Sequence, residues 1–186
     1  MGTRFTFRRT VTALAMGAAA AASLVLTAPA AAADAPQVKN MRLLDACDKA
    51  SWDVEFPNLC EVNAGSVSLS RFRADLAKGG SGAWWINNRN ETIDAGDTLH
   101  VSNQGGIIHS FTEVQAYGQG LVPEWNTAIK ETSPAVTVNG LPLFQDPAAF
   151  ATFVPRGTSA DIKPAKGVHK YQCIIHPWMR TVVTVR

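Results

Sequence analysis

The stretch Tyr171-Gln172-Cys173-Ile174-Ile175-His176-Pro177-Trp178-Met179-Arg180 decides the reading of this chain. It holds a thiol, an imidazole and a thioether within a single turn of chain. Val168 to Cys173 runs into it as a strand, and Thr181 to Arg186 leaves it as a β-branched strand. A tight loop after a strand can bend all three side chains toward one point. Taken singly, Cys173 would be an inert core thiol and Met179 a core filler. Their spacing around His176 is what sets them apart.

A second imidazole must come from elsewhere. His109 is the best candidate, in Gly105-Gly106-Ile107-Ile108-His109-Ser110-Phe111, because glycines precede it and a strand follows. His100 lies within an alternating strand and reads as a sheet or surface residue. His169 shares strand parity with Tyr171 and Cys173 and reads as a packed or partly exposed structural histidine. Two imidazoles, one thiolate and a weak thioether form the ligand set of a blue-copper electron-transfer site. Cu(II) prefers nitrogen and Cu(I) prefers soft sulfur, so this mixture suits both oxidation states. Hard ions would need carboxylates in the loop, and methionine is a poor zinc ligand.

Working outward, turn signals separate many short strand candidates. Val67 to Phe72 alternates apolar and polar and predicts a strand. Ala83 to Ile86, Thr98 to Asn103, Ile107 to Val114, Phe150 to Val154 and Ala160 to Ile162 read likewise. Ala135 to Val138 can pair across Asn139-Gly140. Residues 34–65 read as loop-like, and residues 115–150 are broken by proline and glycine, with room for a short helix in 121–131 or 146–152. The expected fold is an all-β Greek-key sandwich or barrel.

The chain has 186 residues, 46% hydrophobic and 17% charged, enough for one ordinary domain with appendages. Residues 1–33 read as a secretory signal peptide: Arg4, Arg8 and Arg9, then the apolar run Val11 to Leu26, then small residues before Asp34. The Arg8-Arg9 pair leaves twin-arginine and general export both open. Three of the 17 basic residues lie in this leader and none of the 15 acidic ones, so the remainder carries 14 against 15. That near-neutral balance argues against a nucleic-acid binder. No second long apolar run follows, so no membrane span is expected in the mature protein. Export implies an oxidising compartment (periplasm, cell surface or medium), and Cys47 and Cys60 lie close enough to pair. Such a bridge would close a loop of roughly 14 residues, worth about 3 kcal/mol. Cys173 is then the odd cysteine, which a metal thiolate would explain.

The segment 171–180 resembles the copper loop of cupredoxins, the small blue-copper proteins, and its Cys-x₂-His-x₂-Met spacing is most similar to that of amicyanins. Gly96-Asp97-Thr98, running through an apolar strand to Asn103 and then a histidine, resembles the upstream cupredoxin pattern. The resemblance covers about residues 83–186. It implies His109, Cys173 and His176 as equatorial ligands, Met179 as axial ligand, and one type 1 copper per chain. A backbone N–H, with Ser110 the candidate, would tune the sulfur. The resemblance also implies an exposed C-terminal histidine, with redox partners docking near His176, Pro177 and Trp178. The sequence thus divides into a leader (1–33), an N-terminal extension with the disulfide (34–66) and a cupredoxin-like domain (67–186). The expected role is a one-electron carrier. The alternative is extracytoplasmic copper handling as a chaperone or store, which the scarcity of methionine disfavours. A copper oxidase or nitrite reductase would need a second histidine-rich site, and only His100 and His169 remain.

Overall fold

Pairing of period-2 segments organises the molecule. Residues 35–60, 65–145 and 147–186 are described by the structure, a computed structural model. The expected leader, 1–33, lies outside the described residues. The elements, in order, are β1 (Val38–Asp45), α1 (Lys49–Trp52), α2 (Leu69–Leu76), β2 (Trp84–Ile86), β3 (Asn90–Ile93), β4 (Thr98–Asn103), β5 (His109–Ser110), β6 (Thr112–Val114) and α3 (Pro123–Ala128). They continue with β7 (Thr137–Val138), β8 (Leu141–Pro142), two 3-10 turns (Leu143–Gln145 and Pro147–Thr152), β9 (Phe153–Val154), β10 (Ser159–Ile162), β11 (Gly167–Gln172) and β12 (Arg180–Val185).

Two four-stranded sheets form, in the orders β10-β4-β1-β2 and β3-β12-β11-β6. The chain crosses repeatedly between them, and the architecture is the all-β Greek-key sandwich expected. β4 and β12 each alternate half-buried and buried residues along their length, the pattern of strands with one face on a core. Met41, Leu43, Trp84, Leu99 and Val101 from the first sheet share that core with Ile93, Tyr171, Val183 and Val185 from the second. A smaller cluster of Val114, Val136, Val138, Leu143, Ala149 and Ile174 gives the 115–150 segment its own apolar base. β7 and β8 pair across Asn139 and Gly140, both at positive φ, as a two-residue hairpin turn requires.

Two sequence expectations are corrected. Val67–Phe72 is not a strand: Leu69–Leu76 is helix α2. Ser68 caps it by accepting from the Arg71 N–H at 3.2 Å, and Leu69, Phe72 and Leu76 fall on one buried helical face. Only Val67 and Leu69 share a strand face over these six positions, whereas Leu69, Phe72 and Leu76 recur at helical spacing, and the Ser68 cap adds to it. Residues 34–65 are not merely loop. β1 is a central strand, parallel to β4 and antiparallel to β2. The Cys47–Cys60 disulfide follows it directly, with Cα atoms 5.9 Å apart, and encloses α1. There Trp52 is fully buried and donates its indole N–H to the Val67 carbonyl at 3.0 Å.

Candidate metal centre

Cys173 is the first residue past β11, and its loop closes on itself. The Cys173 N–H donates to the Met179 carbonyl at 2.9 Å, and the Met179 N–H donates to that of His176 at 2.9 Å. The 115–150 segment braces this loop from outside. Gln172, fully buried, grips Gly118 by its amide oxygen and nitrogen at 3.2 and 2.8 Å. Leu121 N–H donates to the Ile174 carbonyl at 2.6 Å. Gly120 has to be glycine there, since a Cβ would stand 2.3 Å from that same carbonyl oxygen.

His109 comes from β5, on the far side of the cluster. Asn103, at the end of β4, sets the loop before it: its side-chain amide donates to the Ile107 and Val154 carbonyls, each at 2.8 Å, and its oxygen accepts from Gly105 N–H at 2.9 Å. Ser110 ties the two ligand segments together. Its backbone N–H points at Cys173 Sγ at 3.4 Å, and its hydroxyl accepts from Ile174 N–H at 2.8 Å. The expected sulfur donor is thus in place.

His109, Cys173 and His176 converge, with one ligand atom from each lying within 4.8 Å of the others. The Nδ1 atoms of His109 and His176 are 3.2 Å apart, and Cys173 Sγ is 3.7 Å from His176 Nδ1. Metal–nitrogen bonds of about 2.0 Å and metal–sulfur bonds of about 2.3 Å at tetrahedral angles put such atoms roughly 3.3 and 3.5 Å apart. The donor set therefore fits a single first-row ion of borderline softness. All three residues are buried, as is Met179, which sits in the same core cluster as Cys173. His100 instead pairs with Asp161 at 2.7 Å on the surface, and His169 is held between Glu113 at 2.7 Å and the Ala165 carbonyl at 2.6 Å.

Charge is already partitioned in this cluster. Burial pushes the Cys173 thiol up, but hydrogen bonds and charge from His109 and His176 outweigh it and hold the thiol well below its usual range. Burial also opposes a charged His109, yet Asp45 and Cys173 prevail and raise it to about 9. His176 is lowered, chiefly by burial. These directions favour a thiolate beside a protonated His109 and a neutral His176, an arrangement suited to exchanging a proton for a cation.

The cover of the site differs from expectation. His176 is only 2% exposed and Pro177 is buried, so almost none of the histidine edge implied by the resemblance reaches solvent. Trp84 stacks on His176 with centroids 4.5 Å apart and planes at 28°. Trp178 lies 5.5 Å from His176, and half-buried Trp125 meets Trp178 edge-on at 6.2 Å. Trp52 and Phe72 complete this aromatic layer. The covering rings come from α1, α2, β2 and α3, so the N-terminal segment helps roof the site.

No protein-family model and no curated protein matches the sequence. The solved structures it resembles include cupredoxins. A purple cupredoxin from Nitrosopumilus maritimus is 20% identical with a TM-score of 0.36, over 57% of this chain and 86% of that one. The amicyanin of Paracoccus versutus is 20% identical with a TM-score of 0.32, over 54% and 72%. A Cu(I) form of an amicyanin methionine variant is 16% identical with a TM-score of 0.34, over 55% and 73%. At these identities the chemistry of the cluster carries the functional reading. Sequence reasoning missed Asp45 and Trp84, which touch the two imidazoles. Asp45 lies 64 positions from His109, and the one local sign was an acidic residue at an inward position of a strand whose other inward residues, Met41 and Leu43, are apolar.

Proposed function

We propose that this chain is an exported, mononuclear type 1 copper protein that carries single electrons between redox partners. The observation supporting it is the convergence of three buried ligand atoms, two imidazole nitrogens and a thiolate, at the spacing one small ion needs. His109, Cys173 and His176 would hold the copper, and Met179 would stand at the axial position. Bound there, copper would supply a one-electron couple whose two oxidation states share one ligand set. The protein's part is to keep that set fixed. Ser110 N–H stabilises the sulfur's negative charge, the loop hydrogen bonds hold Cys173 and His176 in register, and the aromatic roof excludes water.

The covered site also favours electron carriage over copper handling, because a chaperone has to expose its ligands to an acceptor. Docking in this reading falls on half-buried Trp178 rather than on the buried His176 and Pro177. A groove of about 440 Å³ adjoins it, lined among others by Lys78, Trp84, Trp85, Arg89, Trp178 and Arg180. Among the described residues no acidic side chain lines that groove, so it suits a partner with an acidic face. Export is supported by the disulfide, which persists in oxidising compartments. Among the described residues no helix is long and apolar enough to cross a membrane. Electron self-exchange tests the reading: mixing oxidised and reduced copper-loaded protein should give rapid exchange with the metal retained. Rapid surrender of copper to an acceptor protein, with slow self-exchange, would favour copper handling instead.

A further inference from the structure

We propose that Asp45 is a positioning residue of the metal centre: its carboxylate holds His109 with Nε2 protonated, aims Nδ1 at Cys173 and His176, and lowers the reduction potential by its charge. This inference rests on the copper reading above. Asp45 ends β1, and its side chain and that of His109 are both fully buried. Asp45 Oδ1 accepts from His109 Nε2 at 2.8 Å. Its Oδ2 accepts from the Gly106 N–H at 2.6 Å and the Ile107 N–H at 3.3 Å. Among the described residues three donors and no acceptor bond the group, which is the environment of an ionised carboxylate. Unsatisfied, such a buried charge would be costly.

The loop is shaped to admit it. A Cβ on Gly105 would stand 2.3 Å from Asp45 Oδ1, so the glycine before Gly106 leaves space for the carboxylate. In the β1–β2 pairing Asp45 lies directly opposite Trp84. Residues opposite one another in an antiparallel pair project to the same face. One of this pair bonds His109 and the other stacks on His176, so a single cross-strand pair orients both imidazoles.

Asparagine has nearly the same shape but cannot meet the same three donors. With its oxygen toward the Gly106 and Ile107 amides, its NH₂ faces Nε2 and forces the proton onto Nδ1, the atom needed for the metal. With its oxygen toward Nε2, its NH₂ opposes the two backbone N–H groups. Asp45→Asn should therefore lower Cu(II) affinity about 10- to 100-fold, the usual effect of losing such an outer partner. The midpoint potential of the copper that does bind should shift upward, because a negative charge that favours Cu(II) is gone.

The experiment measures Cu(II) affinity and midpoint potential of the wild-type protein and of Asp45→Asn, together with ¹⁵N NMR of the histidines in the wild-type protein loaded with Cu(I). The spectrum should show His109 Nε2 carrying a slowly exchanging proton. That wild-type measurement decides the matter even if the variant does not fold. A His109 Nε2 proton that exchanges freely with water, or a folded variant with unchanged affinity and potential, would overturn the role of Asp45 and leave the copper reading standing. A wild-type protein that takes up no copper would remove both.

Discussion

Cys173 is the residue on which the chemistry turns. It is fully buried, accepts the Ser110 N–H and lies beside two imidazoles. Cys173→Ser should abolish the visible thiolate-to-Cu(II) absorption, because serine offers no soft, low-energy donor. Met179→Leu should keep the colour and chiefly move the potential, since a weak axial thioether tunes the couple without holding the ion. Absorption spectra and voltammetry of the two variants check both outcomes. At this scale the sequence was highly legible wherever spacing was local. Cys173, His176 and Met179 share one loop, and the glycines marked His109. Asp45 and Trp84 were hidden because their partners are distant in sequence and nothing in their own neighbourhood names them.

Among the elements, the N-terminal segment carries more of the structure than its composition suggests. Replacing Cys47 and Cys60 together by serine should destabilise the fold by about 3 kcal/mol, the chain-entropy value for a short loop, read by urea denaturation of the metal-free protein. Ser68→Ala should cost about 1 kcal/mol in the same assay, through loss of the α2 cap. The strand β1 escaped recognition because Leu44 faces the less buried side while Asp45 faces inward, which breaks the apolar alternation. α2 differs from the strand expectation because Val67 and Leu69 alone imitate alternation, while Leu69, Phe72 and Leu76 follow helical spacing. β4, β11 and β12 were readable because each has one buried face and β-branched or aromatic residues to fill it. The Glu131–Arg180 pair, 2.6 Å apart, links the segment after α3 to the start of β12. The Arg180 hydrogen bond lowers Glu131 to about 2, so its folded value lies below the unfolded one. Its contribution is complete above about pH 4.5 and fades as pH falls toward 2. Glu131→Gln should flatten that part of the stability–pH curve, measured by thermal unfolding across acidic pH.

For the molecule as a whole, the sandwich brings the proposed ligands together from two sequence-distant loops, and a bound metal would in turn secure the fold. An ion that binds only the folded state stabilises it by mass action. The melting temperature should rise on copper loading and keep rising with excess free copper, and Cys173→Ser should suppress most of that rise. Differential scanning calorimetry would show it. The most direct test of the central claim is a Cu(II) titration followed by absorption and EPR, with copper counted per chain. The account predicts one equivalent bound, an intense visible charge-transfer band and the small copper hyperfine splitting of a covalent Cu–thiolate site. A copper-replete, fully oxidised sample that stays colourless would contradict it.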